Sequence, residues 1–187
     1  MAEHNITKNS YRDRNKKEGA IVLYASGRMV PGKGFDLLLT ALSKVKHKER
    51  LRLIIGGTGP EEGKIHQLAK DLGVDKHVEF PGWVTKEEVH TYYKTIDIFI
   101  QPRWRPELIS IILMEALSFG LPIILPAGGG LQWVTGPAAL AFEHDNPDDL
   151  AEKIERLVSD HELRAKLSEA CYTRLDDDEL NYEKNIA

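Results

Sequence analysis

The sequence predicts an α/β protein in which one parallel β-sheet lies between two helical layers. Short apolar runs alternate with amphipathic stretches along most of the chain, which is the rhythm of strand, helix, strand. Glycine-rich segments fall where an apolar run gives way to a helix. The length, 187 residues, fits one core of ordinary size and not two. Together these favour a parallel sheet covered by helices on both faces.

The elements follow in order. Residues 1–19 carry Lys8, Arg12, Arg14, Lys16 and Lys17 with little hydrophobic periodicity, and read as a flexible arm or interdomain linker. Strands are predicted at 21–25, 51–55, 78–80, 97–100, 122–125 and 138–142. Helices are predicted at 35–45, 60–72, 85–94, 109–119, 147–158 and 161–175, with a glycine-rich turn after the fifth strand. Thr85 and Glu88 have the spacing of a capping box, and Asn146-Pro147-Asp148 has the chemistry of a helix start. The domain is expected to span 20–175, with 176–187 as a solvated or docking tail.

Composition removes several classes of function. Lys and Arg number 25 against 29 Asp and Glu, a net charge of −4, which lacks the overall attraction of a nucleic-acid binder. No uninterrupted apolar stretch reaches the ~18 residues of a membrane span. The single cysteine, Cys171, excludes an intrachain disulfide and a cysteine-based zinc cluster. The N-terminus lacks the apolar run of a secretory signal, so a cytoplasmic location is expected. The seven histidines show no metal-ligand spacing.

In an open parallel sheet, ligands sit outside the carboxyl ends of the strands, so the loops there are the place to look for chemistry. After the first strand, Gly27-Arg28-Met29-Val30-Pro31-Gly32-Lys33-Gly34 brings two cations and three glycines to such a loop. The spacing matches a triphosphate-binding P-loop up to its last position, where Gly34 replaces the Mg²⁺-binding hydroxyl and Pro31 removes a backbone donor. A glycine turn with solvated basic residues is the competing reading. After the second strand, Gly56-Gly57-Thr58-Gly59-Pro60 forms half of a dinucleotide fingerprint, with Glu62 at the place of the third glycine and Pro60 expected in the first helical turn. It reads equally as a structural turn.

The most specific feature is Glu107 and Glu115 bracketing an apolar segment broken only by Ser110. The helix carrying Glu115 is apolar on nearly every side and is expected to be buried, so an ionised Glu115 needs strong donors. A ribose diol would supply them; a backbone amide or basic side chain would do so equally. Eight residues along a helix advance about 12 Å, beyond the roughly 5–9.5 Å of a glycosidase carboxylate pair. That spacing suits gripping the two ends of an extended ligand, with the N–H groups of Ser110, Ile111 and Ile112 facing its negative middle.

Gly27-Arg28 with Lys33-Gly34, Gly57-x-Gly59-Pro60, Phe80-x-Gly82-x-Val84, the segment 97–102, Glu107 to Glu115, Gly120-x-Pro122 and Gly129-Gly130 form an ordered set. The set resembles the nucleotide-binding C-terminal domain of retaining GT-B glycosyltransferases of family 4, over about residues 20–175. The resemblance implies a three-layer Rossmann-like domain, the C-terminal half of a GT-B fold. It further implies that Arg28 and Lys33 neutralise the diphosphate of a nucleotide sugar and that Glu115 holds its ribose. Glu107 would contact the transferred sugar, Val84 would lie against the base, and Gly57, Gly59, Ser110, Ile111 and Ile112 would line the donor site. It implies transfer with retention of anomeric configuration, the nucleoside-diphosphate sugar being substrate, with no cofactor and no protein-bound metal. An N-terminal acceptor domain is expected to complete the enzyme and to make any peripheral membrane contact, so this domain alone is expected to be inactive.

The sequence departs from the family pattern at Leu108-Ile109-Ser110, where a small, glycine-containing turn is usual, and at Gln132, where an acid commonly follows the paired glycines. A non-catalytic assembly or regulatory module of the same fold is therefore the alternative, with P-loop nucleotide hydrolysis a third. Trp83 and Trp104 are candidates for the pocket, with packing an equal reading for Trp83. Trp133 is expected in the core. Arg103-Trp104-Arg105 is open to an anionic ligand or a neighbouring domain.

Overall fold

A computed structural model describes residues 19–103 and 110–177. Outside the described residues lie the arm up to Glu18, the tail beyond Asp177, Trp104, Arg105, Glu107 and the predicted helix start at Ile109.

The described elements are β1 (Ile21–Ser26), α1 (Phe35–Lys44), β2 (Leu51–Gly56), α2 (Glu62–Asp71), β3 (Val78–Gly82), α3 (Lys86–Tyr93), β4 (Ile98–Ile100), α4 (Ile111–Ser118), β5 (Ile123–Pro126), α5 (Gly129–Thr135), β6 (Ala139–Phe142), α6 (Pro147–Ser159) and α7 (His161–Leu175). Every strand pair is parallel, in the order β3-β2-β1-β4-β5-β6. The chain thus winds outward in one direction from β1 and then in the other from β4. That reversal opens a crevice between β1 and β4 at their carboxyl ends.

The strands alternate their side chains between two cores, as the pleat requires. Leu23 and Ala25 of β1 pack with α1, α2 and α6, while Tyr24 between them packs with α3 and α4. Buried Asp97 ties β4 to β1 at the opposite, amino-terminal edge of the sheet: its Oδ2 accepts from Val22 N at 2.8 Å, and its own N–H donates to Val22 O at 2.9 Å. No helix among the described residues is long and apolar enough to cross a membrane.

Both helix starts that the sequence marks are built as expected. Thr85 and Glu88 close a reciprocal capping box on α3, and Asn146 Oδ1 accepts from Asp148 N and Asp149 N at 3.0 Å at the start of α6. The predicted glycine-rich turn is instead helix α5: Gly128 holds the N-cap at φ 86°, and its N–H donates to the Gln132 side chain one turn on. A residue with no Cβ reaches that backbone angle without strain. Trp133, expected in the core, is 56% exposed, and its ring instead supports the Arg174 guanidinium at 5.4 Å. Pro60 precedes its helix rather than opening it, because α2 starts only at Glu62. The last strand starts one residue late, as Gly136–Ala138 form a 3₁₀ turn.

Asp149 links α6 to the end of β6. The Lys153 ammonium bonded at 2.7 Å holds its carboxyl below the ordinary carboxylate value; burial opposes this, and the Glu143 N–H at 2.7 Å adds to it. Because the folded-state value lies below the unfolded one, the stabilisation is present above about pH 4 and is lost as pH falls through the depressed value. Asp149→Asn is expected to lower stability at pH 7 by about 0.5 kcal/mol, the scale of a solvent-screened pair. Denaturant titrations from pH 7 to pH 2 should show the gap from the unsubstituted chain closing in acid.

Candidate functional site

Three loops at the carboxyl edge are joined to one another through their backbones. Gly27 N–H donates to Gly56 O at 3.0 Å, Gly57 N–H to Gly82 O at 2.7 Å, Met29 N–H to Thr58 O at 2.9 Å, and Glu61 N–H back to Met29 O at 3.1 Å. The glycines permit this closeness. A Cβ on Gly57 would stand 2.1 Å from Gly27 O, and one on Gly59 would stand 2.4 Å from Met29 O. The partial fingerprint is therefore glycine-rich because loop packs on loop, a reason independent of any ligand.

These loops wall a cavity of about 600 Å³. Arg28 enters from the β1 loop, Gly57, Thr58 and Gly59 from the β2 loop, Trp83 and Val84 from the β3 loop, and Val89 and Ile112 from α3 and α4. Trp83 stands at the rim, 77% exposed. Ser26 lines the cavity beside Gly56, and the Tyr24 hydroxyl lies behind them. A Cβ on Gly56 would come within 2.9 Å of Val84 Cγ2 and 3.1 Å of Tyr24 Oη, so only glycine fits between pocket wall and core.

At the start of α4, Ser110 holds the N-cap position in extended conformation and makes no side-chain cap hydrogen bond. First-turn N–H groups have no acceptor within their own helix, so the positive end of α4 is left to whatever lies before it. The helix is not buried all round, as its composition predicts: Ile111 is 77% exposed and the Glu115 side chain 24%. Nor does a strong donor meet Glu115. Among the described residues the His90 imidazole stands beside it, with Nε2 3.7 Å from Oε1.

Lys33 does not line this cavity. Burial pushes its ammonium below the ordinary lysine value, and the Arg103 guanidinium on the loop after β4 lowers it further. The next residue is pinned against the same loop, where a Cβ on Gly34 would lie 2.0 Å from Pro102 O. Position 34 thus has no space for the hydroxyl that a P-loop needs, and the P-loop reading fails on sterics.

The structure therefore brings Arg28, Gly57, Gly59, Val84 and Ile112 to one cavity, with Ile111 and Ser110 adjoining in sequence. It places Lys33 further along the same β1 loop as Arg28, outside the cavity lining, and Glu115 one turn further along α4. Glu107 lies outside the described residues. Sequence reasoning missed Ser26, Thr58 and Val89. The Thr85 capping box was the usable signal for Val89, since it fixes where α3 starts and hence what its first turn presents.

Residues 7–174 match the family described as Glycosyl transferases group 1. The chain belongs to that family. Among curated relatives of this group 1 glycosyltransferase chain, the lipopolysaccharide core biosynthesis glycosyltransferase LpsE of Rhizobium meliloti is 31% identical over 152 residues, covering 80% of this chain and 43% of LpsE. The chain spans less than half the length of the curated relatives it matches. Among solved structures, the catalytic domain of cholesterol-α-glucosyltransferase from Helicobacter pylori superposes with a TM-score of 0.74 at 25% identity, over 83% of this chain and 98% of that one. HepE of Anabaena, crystallised with UDP and glucose, shares the fold with a TM-score of 0.77 at 20% identity, over 94% of this chain and 48% of HepE. The six-stranded parallel sheet flanked by helices is thus a Rossmann-like unit of GT-B glycosyltransferases.

Proposed function

We propose that the chain is the nucleotide-sugar donor domain, the C-terminal half, of a retaining family 4 glycosyltransferase. The observation that carries this reading is the cavity at the carboxyl edge of the sheet, where Arg28, three backbone loops and the first turn of α4 converge. A nucleoside diphosphate places negative charge beside a guanidinium and a helix N-terminus, both of which favour it. Lys33 adds charge from further along the same β1 loop, and an anion there offsets the burial and repulsion that depress its ammonium. Glu115 accepts from the ribose, Val84 lies against the base, and Glu107 contacts the transferred sugar. As the glycosidic bond to phosphate breaks, the departing diphosphate gains charge that the cations stabilise. An N-terminal domain supplies the acceptor site, consistent with a match that spans less than half the length of those relatives.

Titration calorimetry with UDP-, GDP- and ADP-sugars tests this. Saturable binding of at least one at millimolar ligand is expected, and no heat from any of the three contradicts it. Addition of a partner N-terminal domain should restore sugar transfer; failure to restore it with donor still bound would favour a non-catalytic module. Trp83 provides an optical readout: nucleoside diphosphate should change its emission, and Trp83→Ala should weaken binding by about tenfold, the scale of one base stacked on an aromatic ring.

A further inference from the structure

The Glu115 carboxylate makes no hydrogen bond among the described residues, and the His90 imidazole stands beside it, with 3.7 Å between Nε2 and Oε1. That imidazole is itself held. It stacks on Tyr93 with 6.4 Å between centroids and leans on Phe119 at 5.4 Å. Tyr93 in turn donates its hydroxyl to Ile112 O at 3.2 Å, so the helix carrying His90 is tied to the first turn of α4. Burial raises the Tyr93 phenol, which keeps that donor protonated. The residue before His90 is Val89, which lines the cavity. One face of α3 therefore meets the pocket through Val89 and the wall behind it through His90.

We infer that His90 is a positioning residue: it fixes the Glu115 carboxylate in the orientation that receives the ribose diol of the donor. The inference rests on the reading of Glu115 as the ribose partner. A glutamate side chain left to itself samples several rotamers, and binding must then select one at an entropic cost. A rigid ring, clamped by two aromatics and set beside one carboxylate oxygen, narrows that choice and leaves the other oxygen for ligand hydroxyls. The separation lies just beyond hydrogen-bond length, so His90 orients the carboxylate without saturating it.

The test compares affinities of the 187-residue chain for UDP, GDP and ADP with those for their 2′,3′-dideoxy counterparts. The ratio between the two series reports the grip on the diol, and general damage to the fold leaves it unmoved. The unsubstituted chain should prefer the ribonucleotide, and Glu115→Ala should erase the preference. His90→Phe keeps the stacked ring without its N–H and should lower the ratio by about fivefold, close to the cost of ordering one free side chain on binding. His90→Gln keeps an N–H donor and should retain most of the ratio. Thermal melts of both variants identify any loss of fold. A His90→Phe ratio equal to that of the unsubstituted chain would make His90 a packing ring only and overturn the inference while leaving Glu115 as ribose partner. Absence of any ribose preference in the unsubstituted chain would overturn the role of Glu115 and the inference with it.

Discussion

Replacing Arg28 and Lys33 together with alanine should weaken binding of nucleoside diphosphate by about a hundredfold, since each charged hydrogen bond to phosphate contributes roughly 1.5–3 kcal/mol. The two single variants should not contribute equally. Arg28 lines the cavity, whereas Lys33 stands outside its lining at the far end of the same loop, so Arg28→Ala is expected to cost more. Lys33 also gives the reaction a pH signature. Burial and Arg103 hold its ammonium below the ordinary value of 10.5, so its charge is fully present below the depressed value and is lost as pH rises through it. Diphosphate affinity should therefore decline in mild alkali before an ordinary lysine would titrate. Lys33→Arg, with a guanidinium that keeps its proton, should remove the decline. Calorimetry from pH 7 to pH 10 on the unsubstituted chain, the two single alanine variants and Lys33→Arg checks both statements.

Gly57→Ala should destabilise the domain by about 3 kcal/mol or more, lowering the melting temperature by roughly 10 °C. Two independent costs meet at this position. Its φ of +120° is a conformation that side chains rarely adopt, and a Cβ would lie 2.1 Å from the carbonyl oxygen of Gly27. The neighbouring atom is backbone, so relief requires pushing the β1 loop away, and with it Arg28. Affinity for nucleoside diphosphate should fall in parallel. Gly63 provides the contrast. It lies in α2 with nothing within 4 Å of an added Cβ and without positive φ, so Gly63→Ala should stabilise by about 0.5 kcal/mol through reduced freedom of the unfolded chain. Thermal melts of the two alanine variants should move in opposite directions.

The strands were legible because each is a short apolar run bounded by turn chemistry, and the sheet buries both faces of such runs. Helix starts at Thr85 and Asn146 were legible because local side chains satisfy the first N–H groups, a decision made within a few residues. What the sequence hid depends on distant partners. Helix α5 forms despite three successive glycines, Gly128, Gly129 and Gly130, because Gln132 reaches back to the Gly128 N–H. Trp133 looked like core by its size, yet its ring is placed against Arg174, 41 residues away in sequence.

The candidate site was similarly half visible. Arg28, Gly57, Gly59 and Val84 occupy consecutive strand-to-helix loops, and the parallel order of β1, β2 and β3 brings such loops side by side whatever their sequence. The reason for the glycines was not visible, since it lies in the carbonyl groups of the adjoining loops. His90 carried no signal in the sequence. Its interest comes wholly from the packing of α3 on α4, which sets a lone imidazole beside Glu115.

A crystal structure of the chain soaked with UDP, GDP or ADP tests the central claim most directly. The account predicts diphosphate density between Arg28 and the N–H groups at the start of α4, with the ribose on Glu115 and the base against Val84 and Trp83. Density instead in the separate cavity lined by Asp36, Glu61 and Asp145, or a ribose directed away from Glu115, would contradict it.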